Sequence, residues 1–266
     1  GAYYDCVTAL MQNEYKIADD AFREIISASA APSRPQIKRL GVDYDEAVAR
    51  RFQNCFQSEK TDASGFADCT ERDARRFSGT LNQAFDLLAK TSPDLFQEFE
   101  TLIREIVLVA PDGSSEDAFE GGTSFKLWGA LFLNAESDAS PVELAITLAH
   151  EEGHAVLFGM CRDEMLVENM DDERYWSAIR QAERPLEGIF HATFVSARMA
   201  HTAHAIAADR TLSSRERNQA HLACDQALDI YRDGIPTLTK HARFTKTGKA
   251  VFQSMTAAMT AFAAMV

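Results

Sequence analysis

The sequence predicts a predominantly α-helical α+β fold with a small β-sheet beside the helix that carries an HExxH motif. Three observations lead there. Apolar residues recur at three- and four-residue steps along most of the chain, the period of amphipathic helices. Two short runs near its middle are β-branched or aromatic, as strands are. Pro, Gly and Ser stand at the breaks between these segments. With 266 residues the chain can build a core without disulfide or metal staples. No repeat, low-complexity tract or linker marks a boundary. A single domain over 1–266 is expected, with a helical front half (1–104), a metal-site core (105–210) and C-terminal helices (211–266).

A first helix is expected over 3–30, where Val7, Leu10, Met11, Ile17, Phe22, Ile25 and Ile26 form an apolar stripe read as core; Pro32 and Pro35 end it. A second helix fits 43–57, and the polar, Gly-containing stretch 58–72 reads as a surface loop. Helices follow at 79–90 and 93–104, the latter with Ser92 as N-cap and Pro93 at N1. The texture then changes. Residues 105–110 (Glu-Ile-Val-Leu-Val-Ala) read as a strand closed by Pro111-Asp112-Gly113. A second strand is expected at 124–134, where Gly129 signals a bulge or a close backbone approach. Ser140, Pro141 and Glu143 form a capping-box start for a helix running through Phe158 and stopping at Gly159. A short strand at 174–180, a loop at 181–185 and helices at 186–209, 214–232 and 248–264 complete the reading.

Composition excludes whole classes of function. Lys plus Arg is 27 against 40 Asp plus Glu, a formal charge of −13, so the chain is unsuited to a phosphate backbone and no nucleic-acid partner is expected. The apolar stretch 257–266 is far short of the ~20 residues that cross a bilayer, so no membrane partner is expected. The five cysteines include no CxxC pair, which argues against a disulfide framework or zinc knuckle and for reduced, buried thiols in the cytoplasm. The chain opens Gly1-Ala2 without a cationic-then-apolar signal segment.

The strongest chemical signal is Ala149-His150-Glu151-Glu152-Gly153-His154. Four residues is just over one helical turn, so His150 and His154 project from one face and can grip one metal ion. Glu151 beside them can polarise a bound water or orient the site. Leu144, Ile146, Leu148, Val156 and Leu157 surround the pair with apolar residues, and two histidines in a buried helix are costly without partners. The alternative is a pair of hydrogen-bonded core histidines. A catalytic metal needs a third ligand. The extended zincin pattern would put Gly at 157 and His at 160, where Leu157 and Met160 stand. Downstream, Glu187 and His191 are four apart at the start of a helix. Glu187 would complete a 2-His-1-carboxylate set suited to non-haem iron or to a zinc hydrolase; His191 would complete three histidines. Spacing leaves both open.

The run 140–159 containing HExxH, Tyr175-Trp176-Ser177, Arg184-Pro185-x-x-Gly188-x-x-His191 and Phe194-Val195-x-x-Arg198 resembles the HExxH-motif peptide-modification proteins associated with gene clusters for ribosomally made, post-translationally modified peptides. The resemblance spans roughly 105–210, with specific motifs at 150–154 and 184–198. It implies an iron(II)- and 2-oxoglutarate-dependent oxygenase that uses O2 to hydroxylate a side-chain Cβ of a precursor peptide, sometimes fused to or partnered by a radical-SAM domain. It also implies that His191, not Glu187, is the third metal ligand beside His150 and His154.

Such an enzyme needs a cation for the distal carboxylate of 2-oxoglutarate, preferably an arginine with its two-pronged geometry. Arg198, seven residues beyond His191 on the same helical face and ~10 Å along the axis, is one candidate; Arg184 is the other. Either is equally suited to a structural ion pair. His201 and His204 are read as outward or hydrogen-bonded, and His221 and His241 stand in no motif. Trp128 and Trp176 are read as core, with a peptide-groove wall as the alternative. The acidic run Asp163, Glu164, Glu168, Asp171, Asp172, Glu173 is read as a solvated loop or as an attractor of a basic precursor segment. Two rival functions stand: a zinc metallopeptidase with Glu151 as general base and Glu187 as third ligand, and a non-catalytic peptide-binding module.

Overall fold

A computed structural model describes residues 2–27, 34–59, 65–113, 119–178 and 181–265, without the side chains of 2–4, 24–27 and 57–59. The fold is predominantly α-helical α+β with a small mixed sheet. The chain divides into two compact units, Gly1–Ser78 with Ile103–Ser137, and Gly79–Leu102 with Asp138–Val266.

The first unit opens with helices α1 (Ala2–Met11) and α2 (Tyr15–Ser27), where a single helix over 3–30 was expected. The apolar period runs through the break, but Asn13 sits at φ +61°, a left-handed conformation that Asn tolerates and a helix does not. The stripe read as core is largely exposed: Leu10, Met11, Ile17 and Phe22 face outward while Ala9, Ala18 and Ala21 are buried. Ile25, Ile26 and the Pro32 break lie outside the described side chains. Strand β1 (Gln36–Arg39), helices α3 (Leu40–Asp43) and α4 (Glu46–Glu59), and strands β2 (Phe66–Ala67), β3 (Glu105–Pro111), β4 (Gly121–Thr123) and β5 (Ala130–Asn134) follow.

The sheet order is β1-β3-β5-β4, with β2 antiparallel on the end of β3. β1 and β5 flank β3 in parallel, and β4 is antiparallel to β5. A parallel strand flanked on both sides must be apolar on both faces, and Ile106–Val109 are almost fully buried. Phe52 and Phe56 of α4 pack edge-on against Phe132 of β5. The expected strand over 124–134 begins only at Ala130, because Phe125–Leu127 coil into a 3-10 turn and Gly129 takes φ +96°. The Gly129 carbonyl accepts from the Arg104 and Glu105 amides, the close backbone approach that its sequence position signalled. Trp128, read as core, is more than half exposed.

The second unit holds the residues of α5 (Glu71–Thr91) from Gly79 onward, α6 (Pro93–Leu102), α7 (Pro141–Met160), the hairpin β6 (Arg174–Ser177) and β7 (Ala182–Pro185), then α8 (Leu186–Ala207), α9 (Ser214–His241) and α10 (Lys246–Ala263). The HExxH helix, α7, starts on the expected capping box: Ser140 Oγ accepts from Glu143 N, and Glu143 returns a carboxylate oxygen to Ser140 N at 2.8 Å. It is apolar nearly all round and buried accordingly. Residues 182–185, expected as loop, pair with β6; the expected strand end at 179–180 lies outside the described residues. Trp176 on this hairpin is also more than half exposed. α9 continues past Pro236 to His241. It lies so close to α8 that a Cβ at Gly234 would sit 1.9 Å from Thr193 Oγ1.

Cys55, Cys69, Cys161 and Cys224 are buried, and Cys6 is half-buried. Among the described residues, no helix is long and apolar enough to cross a membrane.

Candidate metal centre

α7 and α8 run antiparallel across each other, since His150 meets Met199 while His154 meets His191. Gly153 lies at the crossing. A Cβ there would lie 3.1 Å from Val195 Cγ1 and 3.2 Å from Arg198 Cδ, tight enough that these side chains would have to give by a few tenths of an ångström. The glycine inside HExxH thus lets imidazoles from two helices share one volume.

Three imidazoles gather there. His154 Nε2 is 3.2 Å from His150 Nε2, and His154 Nδ1 is 3.1 Å from His191 Nδ1. Phe158 flanks both His154 and His191. Nitrogens bound ~2.1 Å from one ion stand roughly 3.0 Å apart at right angles and 3.4 Å apart at tetrahedral angles, so each contact has the length of a coordination edge. His191 is held neutral, its pKa pushed down to about 4 by burial, and a neutral imidazole ligates without first losing a proton. The donor set therefore fits a metal chemically. Among the described residues, though, no three His, Cys, Asp or Glu side chains converge on one point as a ligand set would. The reason is His154, which offers a different nitrogen to each neighbour; one ion shared by all three needs one imidazole to turn. His150 keeps 30% of its side chain exposed and His191 14%, so the group is reachable from solvent.

The carboxylates around it take distinct positions. Glu151 is buried, its Oε1 3.8 Å from His150 Nε2. Glu187 stands 3.8 Å from His191 Nε2, the nitrogen turned away from His154. Its two oxygens accept from the Leu166 and Val167 amides at 3.3 and 3.2 Å. Burial raises its pKa against those two hydrogen bonds. A carboxylate on that side of the ring can orient a ligating histidine from behind, and at 3.8 Å Glu187 is not hydrogen-bonded to it.

Arg198 is committed to protein partners. Its Nε and Nη2 donate to Glu152 Oε2 at 3.0 and 2.7 Å, and Nη2 also reaches Glu98 Oε2 at 2.8 Å. Glu152 is fully buried and its Oε1 has no hydrogen-bond partner among the described residues. Desolvation raises its pKa to about 7, against the pull of Arg198. Burial works against the Arg198 charge too, but the two carboxylates outweigh it and its pKa rises. Arg184 lies exposed on β7, just before α8. Sequence reasoning missed Glu152 and Glu98, although a glutamate on the apolar helix next to Gly153 called for a cation on the helix it faces.

His201 and His204 pack against Phe262 rather than pointing outward. The acidic run is partly structural: Glu164 accepts from the Thr247 amide in the first turn of α10, and Glu173 from Arg243, Tyr175 and the Met170 amide. No protein-family model matches this chain, and no curated protein matches it.

Proposed function

We propose that this chain is an iron(II)- and 2-oxoglutarate-dependent oxygenase that hydroxylates a side-chain Cβ of a ribosomally made precursor peptide. The observation that carries the reading is the gathering of His150, His154 and His191 from α7 and α8 at coordination-edge distances. The motif resemblance supports the choice of iron and cosubstrate. In this reading the three imidazoles would hold the ion. Iron(II), when bound, supplies the activation of O2 coupled to decarboxylation of 2-oxoglutarate.

The protein's own groups do the rest. Glu187, pinned by two backbone amides, fixes the His191 ring. Glu151 sits beside His150 and tunes the site. The distal carboxylate of the cosubstrate goes to Arg184, which is exposed, or to Arg198 once Glu98 is displaced. Glu98, 41% exposed, is the more easily displaced of the two carboxylates on Arg198. The precursor peptide is the partner, with a radical-SAM domain as a further one, and the reduced thiols suit the cytoplasm.

A zinc peptidase is favoured by one observation, the Glu151 carboxylate near His150 Nε2 in the place of a general base. Its third ligand, Glu187, faces the far side of His191. Aerobic incubation of a cognate precursor peptide with the protein, iron(II) and 2-oxoglutarate separates the readings. A gain of one oxygen per modified residue with matching succinate supports the oxygenase. Peptide-bond cleavage supported by zinc overturns it, and an unmodified peptide that still binds His150→Ala points to a non-catalytic module.

A further inference from the structure

Away from the imidazoles, two cavities of about 400 and 710 Å³ share Met160, Val251 and Ser254 as a common wall. The first lies among α6, α7, α8 and α10, and the second continues beneath residues 163–164 toward the start of α10. At ~100° per residue, Val156 and Met160 project roughly 200–280° around α7 from His150 and His154, so this trough opens on another face of the helix. None of His150, His154 and His191 lines either cavity, although Arg198 lines the first.

Its chemistry is specific. The floor is apolar and rich in methionine, with Met160, Met255 and Met259, side chains that repack around varied apolar partners. Asp94 and Glu98 stand at one end, Asp163 and Glu164 at the other. Against these four acids the walls offer two cations, Arg198 and Lys246, and Arg198 is already held by Glu152 and Glu98. His201 adds an Nε2 with no hydrogen-bond partner among the described residues. The first cavity alone matches a small-molecule site in size, and the pair is larger than one small ligand fills.

We propose that this trough docks a peptide segment whose apolar side chains are flanked by lysine or arginine. The surplus of lining carboxylates over lining cations, greatest at the Asp94 and Glu98 end because Arg162 lies 3.6 Å from Asp163, favours a cationic chain and disfavours anionic ligands and membrane surfaces. That the occupant is a peptide rests on the oxygenase reading above; the charge and apolar pattern it must carry come from the trough itself.

The test uses a fluorescein-labelled synthetic peptide of leucine interspersed with lysine, and a partner in which every lysine is glutamate, both read by anisotropy without iron or 2-oxoglutarate. The lysine peptide is expected to bind, more weakly as salt rises, and the glutamate peptide not to bind. Ser254→Trp, an exposed position on the shared wall, should weaken binding about tenfold or more, and Ala258→Trp, also exposed, should do the same. Asp94→Lys combined with Asp163→Lys should weaken binding and flatten its salt dependence. Equal binding of both peptides, or binding undiminished in both tryptophan variants, overturns the proposal. Because docking is read without turnover, a peptide that binds but gains no oxygen counts against the oxygenase and leaves the trough standing.

Discussion

Glu152 gives the sharpest quantitative handle on the α7–α8 interface. Its carboxyl is fully buried, and its pKa rises from the ordinary 4.5 to about 7. Between those values the folded chain holds a proton that the unfolded chain has released, so stability falls as pH rises through this window and levels off above it. At ~1.4 kcal/mol per pH unit, the 2.5-unit difference amounts to about 3 kcal/mol. Glu152→Gln keeps the volume and an acceptor for Arg198 but removes the titration, and Glu98 still balances the guanidinium. Urea unfolding followed by circular dichroism from about pH 5 to about pH 8 reads the effect as the difference between the two proteins, in which all other groups cancel. The variant should gain about 2–3 kcal/mol relative to the parent between those two pH values. Parallel stability curves would refute the buried-acid reasoning.

Other substitutions test neighbouring parts of the account. Gly153→Val forces α7 and α8 apart against Val195 and Arg198 and should cost about 1–3 kcal/mol in urea unfolding, with metal uptake weakened as well. Arg198→Met removes the charge that holds the Glu152 pKa down, so Glu152 keeps its proton near neutral pH and the variant should lose stability relative to the parent increasingly as pH rises above about 7, with little difference of this origin in acid, where Glu152 is protonated in both. Glu187→Gln should weaken metal affinity roughly 10–100-fold without abolishing it; complete loss would make Glu187 a ligand and favour the zinc reading. Arg184→Ala should raise the KM for 2-oxoglutarate more than it lowers kcat, and an unchanged KM would remove Arg184 as the carboxylate anchor.

How far the sequence could be read depended on whether local chemistry and tertiary packing agreed. α7 was legible to within a few residues because Ser140, Pro141 and Glu143 specify its start by local hydrogen bonds alone. The face that His150 and His154 share was legible from their four-residue step, whereas spacing left Glu187 and His191 open and only the motif resemblance pointed to His191. The α1–α2 break was not legible, because the apolar period continues through Asn13 and only a left-handed backbone marks the turn. β1 and β7 were missed for a common reason: Gln-Ile-Lys-Arg and Ala-Glu-Arg-Pro carry no strand pattern, and pairing with β3 and β6 makes them strands. Gly129 ended the expected long strand early by a backbone geometry that residue type only hints at. Arg198 was placed on the correct helix, but its commitment to Glu152 depends on a crossing that no local window reveals.

A single ion held by His150, His154 and His191 together requires one ring to turn so that they converge. Anaerobic calorimetric titration of iron(II) into the protein tests it without any turnover. One ion per chain is expected, with binding lost on changing His150, His154 or His191 singly to alanine and retained, though weaker, in Glu187→Gln. Undiminished binding of iron(II) by His191→Ala, or none by the unaltered protein, would contradict it.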